Sequence, residues 1–246
     1  MKLLILGSTG YHPNDLRQTA CFMLPEIGVV LDAGTGFYRV RRHLATPELT
    51  IFLSHAHLDH VMGLTFLLEV MHNTLVSRAT VYGEADKLAA VRQHLFNELL
   101  FPVEPSCDFR SLNGPVALDG GGRLTHFPLD HPGGSVGFRL DWPDRSMAYV
   151  TDTVAAKDAP YVDRIRGVDL LVHECYFADE MAELAAMTGH SHTTPVAEVA
   201  RAAGVGRLVL VHVNPMIEAV DPVGLETARA IFKATDIGVD GMEIDF

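Results

Sequence analysis

The stretch from Thr50 to Gly63, TIFLSHAHLDHVMG, constrains this chain more than any other part of the sequence. It begins with apolar residues typical of a buried strand and then places His55, His57, Asp59 and His60 within six residues. In an extended segment alternate side chains share a face, so the first two histidines point the same way. Imidazole and carboxylate together favour zinc, manganese or iron over calcium or magnesium. A polar loop that is rich in histidine by chance would not explain why the motif follows an apolar run and opens a helix.

Length and charge limit the function classes that need to be considered. The 246 residues allow one large domain or two small ones, and the composition is that of a globular protein with a sizeable core. The 31 acidic and 19 basic residues give a formal charge of −12, which argues against a long nucleic-acid footprint because such a surface is basic. Bound divalent ions would offset part of this charge, so a small anionic substrate is compatible with it.

The cysteines and the first residues indicate the cellular compartment. Three widely spaced cysteines without a CxxC pair indicate neither a disulfide framework nor a thiolate zinc site, and we expect small buried residues in a reducing compartment. The start, MKLLILGSTG, is too short an apolar run for a signal sequence, and no stretch has the length of a membrane span. We therefore expect a cytoplasmic protein without a membrane partner. A dinucleotide-binding loop is not favoured, because Pro13 stands where a helix-opening glycine is needed.

Predicted strands and helices alternate in both halves of the chain. Apolar spacing predicts a helix over Glu84–Leu100, and further helices are expected over Ala155–Arg166 and Thr194–Ala203. Alternating apolar and polar residues after Arg123 predict antiparallel strands with one buried face. No repeat, low-complexity segment or interdomain linker occurs, so we expect a single domain over residues 1–246. The pattern predicts an α/β protein with two packed sheets and helices outside.

Single polar residues at the ends of predicted strands are candidates to join the HAHLDH segment. His131, Asp152 and His212 each leave an apolar strand at an edge, where side chains can converge. Each one alone would be an ordinary residue at a strand end. His126 lies close to His131 in sequence but is not followed by a turn, so we do not count it among the candidate site residues. Asp32, in the turn DAGTG, has either a turn role or the role of orienting a histidine ring.

Together with these residues, HAHLDH resembles the signature of the metallo-β-lactamase superfamily, over nearly the whole chain. The resemblance implies that family's αββα sandwich and two divalent metal ions, zinc or else manganese or iron. A hydroxide shared by two such ions acts as the nucleophile in this chemistry. By the resemblance, one ion takes His55, His57 and His131, the other takes Asp59, His60 and His212, and Asp152 bridges both.

Two later segments resemble those of the ribonuclease Z and phosphodiesterase branch of this superfamily. VHECYF contains Glu174, and GHSHTT contains His190 and His192. In that branch the glutamate pairs with a histidine that donates a proton to the leaving oxygen. The resemblance therefore implies Asp59, Glu174 and His190 as catalytic residues, with His192 as the alternative acid and a structural pairing as the alternative role of Glu174.

The sequence also departs from the ribonuclease Z pattern. Only about twenty residues separate His131 from Asp152, which leaves no room for the arm that grips transfer RNA in that family. We therefore expect a dinuclear metal-dependent phosphodiesterase acting on a small or cyclic phosphodiester. A lactone, ester or thioester hydrolase, ribonuclease Z-like RNA processing and a non-catalytic metal-binding protein are the alternatives. The resemblance also allows a homodimer, although the sequence shows no clear interface stripe.

Overall fold

The structure is a computed structural model that describes residues 1–246. The chain divides into two compact units, Met1–Asn113 with Asp240–Asp245, and Gly114–Val239 with Phe246. Each unit is built on one seven-stranded sheet with helices. The single domain expected over residues 1–246 stays a prediction.

Fourteen strands make up the two sheets. In chain order they are β1 (Lys2–Gly7), β2 (Cys21–Leu24), β3 (Val29–Leu31), β4 (Glu48–Phe52), β5 (Arg78–Gly83), β6 (Asp108–Ser111), β7 (Val116–Leu118), β8 (Gly122–Leu129), β9 (Ser135–Trp142), β10 (Arg145–Val150), β11 (Leu170–Glu174), β12 (Arg207–Val211), β13 (Thr235–Ile237) and β14 (Glu243–Asp245).

Seven α-helices and several shorter helical turns connect the strands. The α-helices are α1 (Leu58–Val61), α2 (Leu67–Met71), α3 (Ala85–Ala90), α4 (Tyr161–Arg164), α5 (Ala182–Thr188), α6 (Thr193–Ala203) and α7 (Leu225–Ile231). The 3₁₀ helices are Pro25–Ile27, Thr35–Arg42, Met62–Phe66, Asp119–Gly121 and Asp179–Met181, and Val91–Leu95 is a π-helical turn. None of the helices combines the length and the apolar character needed to cross a bilayer.

Both sheets are mixed, and each consists of an antiparallel half and a parallel half. In the first unit the order is β14-β1-β2-β3-β4-β5-β6, antiparallel up to β3 and parallel from β3 to β6. In the second unit the order is β13-β12-β11-β10-β9-β8-β7, antiparallel from β7 to β10 and parallel from β10 to β13. Each sheet therefore brings the carboxyl ends of neighbouring parallel strands to one edge.

The central strands are apolar along their whole length because both of their faces are buried. In the first unit, Leu4 and Ile51 belong to a core cluster that includes the helical residues Leu64 and Leu67. The alternate strand residues, such as Leu3, are fully buried as well. In the second unit, the strands of the parallel half pack in the same way with α4 and α6. These continuous apolar runs fix the position of the strand ends that carry the polar residues.

Two predicted helices are much shorter than expected. In place of the helix predicted over Glu84–Leu100, the structure has α3 followed by the π-helical turn, which ends at Leu95. The apolar spacing that predicted a longer helix includes Leu99, but this side chain is 93% exposed and has no core to pack against. The helix predicted over Ala155–Arg166 is reduced to α4. Pro160 lies inside that range, and a proline disfavours helical conformation in the residue before it.

Candidate active site

Polar side chains lie at the carboxyl ends of parallel strands in each unit. In the second unit β10, β11 and β12 are paired in continuous register, so their ends lie side by side. Asp152, Glu174 and His212 stand at or just beyond these ends. In the first unit Asp32 follows β3, and the HAHLDH segment follows the neighbouring parallel strand β4.

A buried carboxylate organises the histidines of the first unit. Asp32 is fully buried, and its Oδ2 accepts a hydrogen bond from His60 Nδ1–H at 2.8 Å. Ser54 donates its backbone N–H to Asp32 Oδ1 at 2.7 Å and its hydroxyl to Oδ2 at 2.8 Å. The same hydroxyl accepts from His55 Nδ1–H at 3.0 Å. One carboxylate thus sets the tautomer of two rings, directly for His60 and through Ser54 for His55, and Nε2 of each ring is the atom suited to bind a metal.

The turn after β3 packs against the HAHLDH segment at backbone distance. A Cβ atom built on Gly63 would lie 2.3 Å from the Gly34 carbonyl oxygen, and one built on Gly34 would lie 2.2 Å from the Asp59 carbonyl oxygen. Both positions therefore exclude any larger residue. Asp59 Oδ2 accepts the backbone N–H of Tyr11 at 2.7 Å and lies 3.5 Å from His60 Nε2. These contacts aim the carboxylate toward the ligand atom of the neighbouring ring.

In the second unit a second buried carboxylate joins two histidines. Asp152 lies 3.5 Å from His131 Nε2 through one oxygen and 3.3 Å from His212 Nε2 through the other. His131 donates Nδ1–H to the Gly189 carbonyl at 2.9 Å, which leaves Nε2 as its ligand atom. Thr151 donates its hydroxyl to the Asp152 oxygen nearest His212 at 2.5 Å. Asp152 thus presents its two oxygens to two different imidazoles.

Glu174 contacts one of the two histidines of the GHSHTT segment. It is fully buried, and it accepts hydrogen bonds from the backbone N–H groups of Thr153 at 2.8 Å and Ser191 at 3.2 Å. Its Oε1 lies 3.2 Å from His190 Nδ1. The His190 ring is stacked on Tyr176, with centroids 4.6 Å apart and planes at 16°. The Glu174 carboxyl group and an aromatic face therefore hold this imidazole in one orientation.

The other nearby histidines have structural partners. His192 contacts Asp179 at 2.7 Å and precedes helix α6, so the structure brings His190, and not His192, to Glu174. His173 donates Nδ1–H to a backbone carbonyl at 2.7 Å and accepts from the Tyr161 hydroxyl at 2.9 Å. Burial lowers the pKa of His173, because a charged ring at this position would lose its hydration. His173 is therefore a neutral core residue.

The donor chemistry of these residues fits metal binding. The Nδ1 atoms of His55, His60 and His131 are directed to oxygen acceptors, which orients Nε2 as the ligand in each ring. In the second unit, Asp152, His190 and His212 offer ligand atoms within 4.8 Å of one another. Imidazoles with carboxylates suit zinc, manganese or iron.

Three contributors to the site are not predicted by the sequence alone. Ser54 links His55 to Asp32, the Tyr11 backbone holds Asp59, and Tyr176 supports His190. Ser54 carries a weak signal, since it is a polar residue at the buried end of β4. Tyr11 contributes a backbone group, and Tyr176 acts by stacking, and neither kind of role leaves a motif.

Solved structures confirm the α/β class and the metallo-β-lactamase fold. The chain is similar to the metallo-β-lactamase fold protein YhfI of Bacillus subtilis, with a TM-score of 0.78, 20% identity and 99% of each chain covered. It is similar to the short form of human tRNase Z, with a TM-score of 0.76 and 22% identity over 100% of this chain and 99% of that one.

Sequence comparison extends the likeness to curated proteins. Ribonuclease Z of Acaryochloris marina is 27% identical over 307 aligned positions, covering 98% of this chain and 96% of that protein. Because this chain has 246 residues, at least 61 of the 307 positions have no counterpart in it. A family model described as the β-lactamase superfamily domain matches residues 28–213, which is more than half of the chain.

Proposed function

Because this chain belongs to the β-lactamase superfamily and is a metal-dependent hydrolase, we propose that its substrate is a small or cyclic phosphodiester. The observation that carries the proposal is the contact of Glu174 with His190 in the unit that also holds Asp152. A phosphodiester releases an alkoxide, which needs a proton, whereas an activated carbon ester has less need of one.

The metal-ligand assignment that the family resemblance implies is part of this proposal. In this proposal His55, His57 and His131 hold one ion, Asp59, His60 and His212 hold the other, and Asp152 is shared. What supports it is the ring orientation described above, together with the two Nε2 contacts of the Asp152 carboxylate. Zinc is the expected metal, and manganese and iron suit the same donors.

Each part of the reaction has a residue suited to it. Divalent ions, when bound, supply a nucleophile at neutral pH and compensate charge on the phosphoryl oxygens. Glu174 accepts Nδ1–H of His190 and stabilises the imidazolium form. His190 then has Nε2–H to give to the leaving oxygen, and the stacked Tyr176 keeps the ring in place for the transfer.

Two facts support a small substrate over a transfer RNA. The relative named ribonuclease Z has at least 61 aligned positions that this chain lacks, and this chain carries a net charge of −12. A long polyanion needs a basic surface to replace its counterions, and a net charge of −12 disfavours such a surface.

Hydrolysis of bis-p-nitrophenyl phosphate by the purified protein tests the proposal. We expect turnover with added zinc or manganese, and loss of most of it in Asp152→Ala. On a cyclic phosphodiester, whose leaving oxygen is an alkoxide that needs a proton, His190→Ala should keep its metal and lose about a hundredfold or more in rate, whereas the matched variant His192→Ala should stay close to the parent. No phosphodiesterase activity with zinc, manganese or iron would refute the proposal, and preferential cleavage of lactones would favour a carbon-ester hydrolase.

A further inference from the structure

The hydroxyl of Ser191, the residue directly after His190, joins two loops of the second unit. The side chain is buried, with 1% exposure. The hydroxyl donates to the Thr153 carbonyl oxygen at 2.6 Å and accepts the Ala155 N–H at 2.9 Å. Both of these residues follow Asp152 in the loop after β10. The hydroxyl therefore fastens the loop after β10 to the loop that carries His190.

The backbone of Ser191 holds the segment that contacts the His190 ring. Its N–H donates to Glu174 Oε2 at 3.2 Å, and its carbonyl oxygen accepts the N–H groups of Tyr176 at 3.1 Å and Phe177 at 3.2 Å. Glu174 and Tyr176 are the two residues that orient the imidazole, one through Oε1 and the other by stacking. One residue thus ties the end of β11, which supplies both contacts, to the loop that supplies the ring.

The Glu174 carboxylate connects the Ser191 hydroxyl to the imidazole. Its Oε1, the oxygen that faces His190, also accepts the Thr153 N–H at 2.8 Å. Thr153 therefore receives a hydrogen bond from Ser191 and donates one to Glu174. Without the hydroxyl, the Thr153 carbonyl and the Ala155 N–H lose a partner in a buried loop, and the loop has to shift to find another. Such a shift displaces the N–H that holds Glu174 Oε1 in front of His190.

A displacement of this kind affects the proton transfer more than any other step. The transfer needs His190 Nε2–H to point at the leaving oxygen, and a misplacement of about 1 Å can cost about a hundredfold in rate. We propose that Ser191 is a positioning residue, whose hydroxyl keeps Glu174 and His190 aligned for the transfer. The inference rests on the proposed function, which makes His190 the proton donor.

Two methyl aryl phosphodiesters with different leaving groups test the inference. p-Nitrophenolate leaves readily without a proton, whereas unsubstituted phenolate is more basic and gains more from one. We expect kcat of Ser191→Ala to stay within about twofold of the parent for methyl p-nitrophenyl phosphate and to fall about tenfold or more for methyl phenyl phosphate. A loss of equal size for the two substrates would overturn the inference and leave the proposed function intact. Hydrolysis of neither substrate by the parent would count against the proposed function.

Ser135→Ala is the matched control. Ser135 lies in β9 of the same unit, is 3% exposed, and its hydroxyl has no hydrogen-bond partner. Its removal should leave kcat for both substrates at the parental value. A loss in Ser135→Ala with the same dependence on the leaving group would overturn the inference, since any buried serine would then have this effect.

A double-mutant cycle shows whether Ser191 acts through His190. With methyl phenyl phosphate, Ser191→Ala should cause no further loss in the His190→Ala background, because the group that it positions is already gone. A further loss as large as that in the parent background would overturn the inference. Ser191→Cys serves as a second variant if Ser191→Ala does not fold, since a thiol keeps the shape of the side chain but is a weak donor and acceptor. It should show the same dependence on the leaving group.

Hydrogen exchange tests the alignment without turnover. With ¹⁵N-labelled histidine, we expect the Nδ1–H of His190 to exchange slowly with water in the parent and in Ser135→Ala. In Ser191→Ala the exchange should be about tenfold faster or more, because the acceptor Glu174 Oε1 is no longer held in place. Equal exchange rates in Ser191→Ala and the parent would overturn the inference, whether or not the protein hydrolyses phosphodiesters.

Discussion

Backbone strain at the scale of single residues is concentrated at the candidate site. Five residues other than glycine have positive φ angles, and three of them are Asp32 at 58°, Asp152 at 40° and His212 at 55°. A fourth, Tyr11 at 59°, donates the N–H that holds Asp59. Such a conformation costs about 1–3 kcal/mol for a residue with a side chain, and it persists where the surroundings over-determine it. The hydrogen bonds of the Asp32 and Asp152 side chains hold these two residues in the left-handed conformation.

At this scale we predict that Asp32→Asn weakens metal binding. Asparagine tolerates the left-handed conformation and has nearly the same volume, but an amide cannot accept from His60 and Ser54 as both carboxylate oxygens do. Metal affinity should fall about ten- to a hundredfold, as measured by competition with a chelating dye. Asp15→Asn, at an exposed position of the same unit, is the control and should leave affinity unchanged. A parental affinity in Asp32→Asn would show that this carboxylate does not orient the ligands.

Among the elements, α6 depends on a cap supplied from elsewhere in the chain. The residue preceding the helix is His192, whose side chain makes no cap hydrogen bond. Instead Asp179 accepts the backbone N–H of Thr194 at 2.8 Å and its hydroxyl at 2.5 Å. This cap also fixes the segment that carries His190, three residues before the helix.

Removal of this cap should destabilise the second unit. We expect Asp179→Ala to lower the free energy of unfolding by about 0.5–2 kcal/mol at pH 7, measured by urea denaturation. The neighbouring Glu180→Ala, at an exposed position, is the matched control and should change it little. An equal effect of the two substitutions would contradict the cap assignment.

The effect of the same substitution should depend on pH. Partial burial acts to raise the pKa of Asp179, but hydrogen bonds from Thr194 and His192 outweigh it and hold the pKa below the ordinary value of 3.8. A carboxyl with a lowered folded-state pKa stabilises the protein above its unfolded value and loses that stabilisation as the pH falls. The difference between the parent and Asp179→Ala should therefore be complete above about pH 5 and shrink below pH 4. A difference that grows on acidification would contradict this linkage.

At the scale of the whole molecule, the end of the chain returns to complete the first unit. Residues Asp240–Asp245 belong to that unit, and β14 pairs with β1. Asp240 accepts hydrogen bonds from the Ser8 backbone and hydroxyl, from the Gln18 N–H, and from Arg39 at 2.5 Å. One carboxylate thus ties the last segment to the loop that also presents the Tyr11 N–H.

We predict that Asp240→Ala destabilises the protein by about 3 kcal/mol. The substitution removes the carboxylate that accepts all four hydrogen bonds, and one of the four donors, the Arg39 guanidinium, is charged. Thermal unfolding with zinc present would show the loss. The control is Glu243→Ala in the same segment, whose bridge to Lys2 is exposed at both ends, and little change is expected there. If the two variants unfold at the same temperature, Asp240 does not hold the segment.

The sequence by itself determined the local parts of this site. An apolar run followed by HAHLDH predicts a strand that delivers ligands at its end, and β4 and α1 have that arrangement. His131, Asp152 and His212 are predicted in the same way, because the apolar residues that form a strand immediately precede each of them. Periodicity acts between near neighbours, so it encodes where strands are and which polar residues leave them.

Only the tertiary structure decided the partners. Asp32 contacts His60, 28 residues away in sequence, and Glu174 contacts His190, 16 residues away. Whether His190 or His192 contacts Glu174 depends on the hydrogen bonds by which Asp179 caps the start of α6. The end of the helix predicted over Glu84–Leu100 was also decided by the tertiary structure. The apolar spacing of the sequence continues to Leu99, but the exposed Leu99 side chain has no core to pack against. Hydrogen bonds and burial between distant segments depend on how the sheets pack, and a pattern of neighbouring residues does not contain that information.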